Sequence, residues 1–327
     1  MTPEDCMFIC MPFFHAMGLM LQLTSCLVYG SSAHVIRRFS ATTWLDEIRA
    51  SKATLTYGLG VIPEFIFRQP PSPYDKDHDL RSMVAVPIGE DWGAPFEERF
   101  GLRLVQAYGM TECNIPAYGK LEDPVMAGCA GHIDDDFFEV KIVDADTDEE
   151  MPKGEVGEIV VRPTQPACFM QGYYNMPERT IEAWRNLWFH TGDAGRFDEE
   201  GRLFFIDRIK DCIRRRGENI SAFEVEQVIN NHPEVAESCV IGVRDADAGG
   251  EEEVKACVVS VGNDVEPTSI LDWCVERMPR YAVPRYIEYV DALDKTPTGK
   301  LQKQGLRDAG ITSDTWDRED VGYVVPR

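Results

Sequence analysis

IDRIKDCIRRRGENIS, residues 206–221, is the stretch whose reading decides the architecture. It sets a run of charges between a strand pattern, RLFFID at 202–207, and a helix opened by Ser221 and Glu224 as a Ser-x-x-Glu capping box. A domain boundary belongs at such a change of pattern, and Lys210 lies where a hinge should be. Upstream, FEVKIVD (138–144), GEIVVRP (157–163) and RLFFID read as strands joined by Gly and Asp turns such as 198–201, which predicts a mostly antiparallel sheet over 121–207. Downstream, Pro233 stops the capped helix, SCVIGV (238–243) and VKACVVS (254–260) read as strands, and a helix follows around 270–278. The stretch 208–327 is therefore expected to be a small α/β domain. Residues 1–120 alternate apolar helical patterns with β-rich runs at 51–57 and 102–107, consistent with α/β layers.

A chain of 327 residues exceeds what one core usually holds, so at least two domains are expected. The net charge of −23, from 33 basic and 56 acidic residues, argues against nucleic-acid binding, which needs a basic face. Ten cysteines occur with no CxxC pair and no zinc-like Cys/His spacing, which suits reduced thiols in a cytoplasmic protein, each a small buried apolar residue. The apolar stretch 7–30 is interrupted by Pro12 and His15 and preceded by Glu4 and Asp5. It reads as a buried strand, a turn and an internal helix, with no membrane span or signal peptide.

Three short stretches carry chemistry. YGMTE, 108–112, follows the strand-like LRLVQA at a position where open α/β sheets bind ligands. Tyr108 could stack on a base, Gly109 allows close backbone approach, Thr111 could bond a phosphate and Glu112 could hold Mg²⁺. The alternative is an ordinary polar turn. HTGD, 190–193, offers Asp193 after a Thr-Gly turn, suited to two ribose hydroxyls, although Asp after Gly is commonplace in turns. Arg208 could donate to ribose or phosphate, and Arg214, Arg215 and Arg216 form either a solvated loop or an attraction for a phosphorylated ligand. KTPTGK, 295–300, fails as a Walker-type phosphate loop, because Leu301 follows Lys300 and Asp294 stands where the first glycine should be.

In order along the chain, MPFFH, YGMTE, TGD, DRIKDxIxxxGENIS and PTGK resemble the adenylate-forming superfamily of acyl-CoA synthetases, peptide-synthetase adenylation domains and firefly luciferase. ERFGLRLVQAYGMTE and RGENISAFEVE are most similar to carnitine and crotonobetaine CoA ligases. The resemblance implies a carboxylate-CoA ligase. A carboxylate attacks the α-phosphate of ATP to give acyl-AMP and pyrophosphate, and coenzyme A then displaces AMP. Carried over, Tyr108 would stack on adenine, with Gly109, Ile88 and Gly89 beside the nucleotide. Thr111 would contact phosphate and Glu112 would bind Mg²⁺. Asp193 and Arg208 would hold the ribose, and His15 would line the acyl pocket, its alternative being a satisfied core histidine. Lys210 would be the hinge, Gly217 would line the pantetheine tunnel beside Arg214, and Lys300 would be the catalytic lysine. The implied partners are a small carboxylic acid, ATP and coenzyme A, with a homodimer left open.

The superfamily's Thr/Ser/Gly-rich phosphate loop does not occur in the sequence, and VPIGE at 86–90 is the nearest counterpart of its Gly-Gly-Ala-Pro segment. The expected fold is thus a partial large α/β domain with an antiparallel β-subdomain, followed by a small mobile α/β C-terminal domain. Its N-terminal portion is expected to be missing. Two other readings stay open: an amino-acid adenylation domain serving a carrier protein, and a catalytically inactive fragment or binding module.

Overall fold

The computed structural model describes residues 1–60, 62–215, 218–244, 252–262, 265–296 and 301–326. The chain divides into two compact units, Met1–Phe205 and Ile206–Arg327.

In the first unit, strands β1 (Cys6–Ile9), β2 (Ser32–Val35), β3 (Leu55–Leu59), β4 (Ser82–Val86) and β5 (Arg103–Val105) pair in parallel in the order β2-β1-β3-β4-β5. Parallel neighbours need crossovers, and these contain helices α1 (Thr24–Tyr29), α2 (Trp44–Ser51), α3 (Ile62–Phe67) and α4 (Gly93–Phe100). One sheet face, through Phe8, Met83 and Ala85, packs with Trp44 and Ile48 of α2 and Phe96 and Phe100 of α4. The expected β-run at 51–57 is shifted: Ser51 still belongs to α2, Lys52 turns left-handed at φ 53° to end that helix, and the strand starts at Leu55.

The stretch 7–30 forms the expected strand, turn and helix, but the helix is not internal. A π-helical segment, Met17–Leu23, runs into α1, and its buried residues, Gly18, Gln22 and Cys26, make one narrow stripe. Gln22 Nε2 donates to the Phe8 carbonyl at 3.1 Å, a polar contact in place of a greasy one. Phe14, Met20, Leu27, Val28 and Tyr29 are exposed.

Past Val105 the chain changes architecture. Strands β6 (Ala107–Met110), β7 (Asn114–Tyr118), β8 (Cys129–Ile133), β9 (Phe138–Val143), β10 (Gly157–Pro163), β11 (Trp184–Arg185), β12 (Trp188–Phe197) and β13 (Leu203–Arg208) form a mainly antiparallel sheet in the order β6-β7-β8-β13-β12-β10-β9, with β11 on β12. It begins within the segment read as α/β layers. The turn before β13 forms as read, with Gly201 at φ +78° and its N–H bonded to Asp198.

In the second unit, hairpin strands β14 (Cys212–Arg215) and β15 (Glu218–Ser221) precede α6 (Ala222–Asn230); α5 (Pro177–Ala183) lies in the first unit. Strands β16 (Val235–Arg244), β17 (Glu252–Ser260), β18 (Tyr286–Tyr289) and β19 (Trp316–Asp317) form a mixed sheet. It is packed by α6 and α7 (Pro267–Val275), with Val225, Ile229, Ile270 and Leu271 all buried in its core. The predicted helix at 270–278 begins earlier because Pro267 fits the first helical turn. Helix α8 (Gln304–Ala309) follows the KTPTGK segment.

The serine half of the capping box forms: Ser221 accepts the Glu224 N–H at 3.2 Å. Asp207 adds a second acceptor, taking the Phe223 N–H at 3.0 Å and the Ser221 hydroxyl at 3.2 Å. Ser221→Ala is expected to destabilise α6 by about 1–2 kcal/mol. Amide hydrogen exchange at Phe223 and Glu224 measures this, and unchanged protection would show that Asp207 alone caps the helix.

Candidate functional site

The first unit brings YGMTE and HTGD together. Tyr108 on β6 donates its hydroxyl to Asp193 on β12 at 2.8 Å, although 85 residues separate them. Both side chains are buried. Burial first, and the neighbouring Asp193 carboxylate second, push the Tyr108 hydroxyl well above its ordinary pKa, so it remains a donor across the physiological range. Its ring stacks on Phe205 with centroids 6.0 Å apart.

Gly109 is required by its own hairpin. A Cβ there would meet the Asn114 carbonyl oxygen at 2.2 Å, so the close approach foreseen from sequence is made by β7. Thr111 is exposed and Glu112 is half-buried in the turn between β6 and β7. Tyr173 donates its hydroxyl to Glu112 Oε1 at 3.1 Å, and the Glu112 carbonyl accepts the Met170 N–H at 2.8 Å. The adjacent Cys113 thiol is pushed up to about 12 by burial, which leaves it protonated and a poor nucleophile.

The expected Thr-Gly turn is instead a step within β12, opposite a register shift in β10, and it is braced from that neighbouring strand. Glu158 on β10 accepts the Gly192 N–H at 3.0 Å through one carboxylate oxygen and lies 2.8 Å from His190 Nδ1 through the other. Thr191 donates to the Ile159 carbonyl at 2.6 Å and accepts the Asp193 N–H at 3.1 Å. Gly192 sits at φ +69°, a left-handed conformation that favours glycine. The Asp193 carboxylate is thereby held at one orientation.

A cleft of about 480 Å³ opens in the same unit, lined by Tyr57, Val84 and Val105 of the parallel sheet, Asn114 and Ile115 of β7, and Phe138. His15, expected to line an acyl pocket, is not among the residues lining this cleft. Ile88 packs in the helix-side core and Gly89 is buried, so VPIGE offers its backbone there: the Ile88 carbonyl accepts the Gly128 N–H at 3.3 Å. His15 is half-buried, and its Nδ1 accepts the Met17 N–H at 3.2 Å, a local contact at the start of the helical segment.

In the second unit, Arg208 closes β13, with its N–H donated to the Asp207 carboxylate at 2.7 Å. Lys210 is exposed on the short 3₁₀ turn Ile209–Asp211, and Arg214 is exposed on β14. Arg215 is instead buried and paired with Glu253 at 2.6 Å. Gly217 and Lys300 lie outside the described residues. Sequence reasoning missed Tyr173, Glu158 and Asp207. Each acts by holding a named residue, a role that shows in geometry alone, although Asp207 stands beside Arg208 in a stretch already singled out.

The family model for AMP-binding enzyme matches residues 1–174, and that for AMP-binding enzyme C-terminal domain matches 224–300. The chain belongs to the AMP-binding enzyme family. Crotonobetaine/carnitine–CoA ligases of Salmonella heidelberg and Salmonella typhimurium are each 31% identical over 308 residues, 93% of this chain and 59% of theirs. Among solved structures, ATP-bound MatB from Rhodopseudomonas palustris aligns with a TM-score of 0.79 at 29% identity, over 94% of this chain and 60% of that one. O-succinylbenzoate coenzyme A synthetase (MenE) from Bacillus subtilis, in complex with ATP and magnesium ion, aligns at 0.78 and 28%, over 94% and 62%. The chain thus spans about 59% of the length of the curated relatives it matches.

Tyr108→Phe removes a donor from a buried carboxylate. It is expected to cost about 1–3 kcal/mol, read as a lowered melting temperature. An unshifted transition would show that Asp193 needs no help from Tyr108.

Proposed function

We infer that the protein to which this chain belongs is an ATP-dependent carboxylate–CoA ligase working through an acyl-adenylate. The observation that carries this reading is the 2.8 Å hydrogen bond joining YGMTE to HTGD in a member of the AMP-binding enzyme family. It assembles an aromatic ring, a hydroxyl-bearing turn and two carboxylates, which are the groups needed to hold a base, phosphates and a ribose. Coenzyme A as the thiol is supported by the names of the relatives, which are CoA ligases. Asp193, oriented by Glu158 and Tyr108, accepts the ribose hydroxyls together with Arg208 as donor. Tyr108 and the backbone of Gly109, Ile88 and Gly89 flank the adenine, and Thr111 bonds phosphate. The cleft with Tyr57 at its wall takes the acyl group, its apolar sides favouring a carbon skeleton and Asn114, Tyr118 and Asp134 offering polar contacts.

Glu112 fits a magnesium ion. Among the described residues no group of three or more His, Cys, Asp or Glu is placed to hold a metal, so an ion here would rest on one carboxylate and on phosphate oxygens, the coordination Mg²⁺ favours. When bound, it supplies neutralisation of phosphate charge. Tyr173 then fixes one oxygen of Glu112 and leaves the other for the ion.

Lys300 acts in the first half-reaction, bridging the substrate carboxylate and the α-phosphate and offsetting charge as the two anions approach. The small domain turns about Lys210, withdraws Lys300 and brings Arg214 and Gly217 to the thiol path. A second reading, a piece without turnover of its own, is favoured by the 59% span and by the exposed apolar face of Phe14, Met20, Leu27 and Val28.

In the full-length protein, Lys300→Ala is expected to slow acyl-AMP formation by about 100-fold or more, measured by pyrophosphate release. Conversion of supplied acyl-AMP and coenzyme A to thioester should stay near normal. Equal loss in both half-reactions would sink the domain turn, and loss in neither would remove Lys300 from the chemistry.

A further inference from the structure

The small unit holds a cavity of its own, of about 230 Å³, lined by Arg215, Arg280, Tyr281, Arg318 and Val325. Three of these five residues are arginines and none is a carboxylate, a local excess of positive charge in a chain whose net charge is −23. Segments far apart in sequence bring them there. Arg215 closes β14, Arg280 and Tyr281 lie between α7 and β18, and Arg318 and Val325 follow β19. Arg215 and Arg318 are buried, and Arg280 is exposed.

Backbone carbonyls fix each guanidinium. Arg215 Nη1 donates to the Tyr281 carbonyl at 2.6 Å, Arg280 Nη2 to the Val325 carbonyl at 2.7 Å, and Arg318 Nη1 to the Val283 and Pro284 carbonyls at 3.1 Å each. A guanidinium carries five N–H donors, so one anchored nitrogen leaves others for a further acceptor. Charge is balanced less fully than hydrogen bonding. Glu253 pairs with Arg215 at 2.6 Å, whereas among the described residues no carboxylate lies within ion-pair distance of Arg280 or Arg318. The acids that flank Arg318 closely in sequence, Asp317 and Glu319, pair with Arg285 instead. Burial first, and the neighbouring Arg215 second, hold the Arg318 guanidinium below its ordinary pKa. A buried cation beside another cation is costly until an anion joins them.

We propose that the cavity of Arg215, Arg280 and Arg318 is a binding site for a phosphate-class oxyanion, either the free ion or a phosphate monoester carried by a larger ligand. Planar guanidinium forks meet the oxygens of a tetrahedral dianion in pairs, which an ammonium group does not. Arg280 and Arg318 supply the unbalanced charge, and Arg215, whose charge Glu253 meets, supplies donors. Bound there, the anion links the end of β14, the segment before β18 and the segment after β19. Neither these residues nor their charge balance depends on the ligase reading.

Calorimetric titration of the full-length protein with inorganic phosphate tests it, with sodium chloride at equal ionic strength as the control for screening. Phosphate is expected to bind and chloride is not. Arg318→Gln keeps a donor for the Val283 and Pro284 carbonyls but removes the charge, and is expected to weaken phosphate binding by about 10- to 100-fold. Arg280→Gln, at an exposed position, should weaken it by about 10-fold with an unchanged melting temperature, and it carries the test if the Arg318 variant does not fold. Phosphate affinity unaltered in the folded variants would place the ion elsewhere and overturn the proposal, leaving the arginines as anchors for backbone carbonyls. So would wild-type heats no larger than those of chloride. Coenzyme A and dephospho-coenzyme A, which differ by one phosphate monoester, distinguish the sources. Tighter binding of coenzyme A that Arg280→Gln abolishes identifies the monoester as the occupant, and equal binding of the two identifies the free ion.

Discussion

The buried hydrogen bond from Tyr108 to Asp193 is the constraint on which the large unit's site depends. A carboxylate that leaves water must find donors, and a phenol that leaves water must find an acceptor. Each meets that need through the other, and the pairing fixes how β6 and β12 lie across the sheet. Glu158 performs the same service one layer further out, where a single carboxylate gathers the Gly192 N–H and His190. The stretch of β12 that presents Asp193 is therefore held by hydrogen bonds on both sides, and Gly192 lets the backbone take the left-handed step between them.

The same logic recurs in the small unit with full charges. Asp207 caps α6 through two donors, and Glu226 faces Lys303 in a buried place where either alone would be costly. These contacts lie at the junctions of elements: the end of β13, the start of α6 and the approach to α8. Apolar packing by Val225, Ile229, Ile270 and Leu271 supplies the unit's cohesion, and the ionic contacts join the ends of its elements.

Much of this protein was legible in its residues. Strand periods and glycine turns marked GEIVVRP and RLFFID, the Ser-x-x-Glu pattern marked α6, and the charged stretch 206–221 marked the change between the two units, because these signals are local and act within a few residues of chain. The chemical types at Tyr108, Glu112 and Asp193 were equally visible. What tertiary structure alone decided was which of them meet. The exposure of the helical face at Leu27 and Val28, the burial of Ile88 in the core, and the partners Tyr173 on Glu112 and Lys303 on Glu226 all depend on contacts between residues far apart in sequence. No local pattern encodes them, since a side chain's partner is set by how whole elements pack, and packing is settled only when the chain has closed on itself.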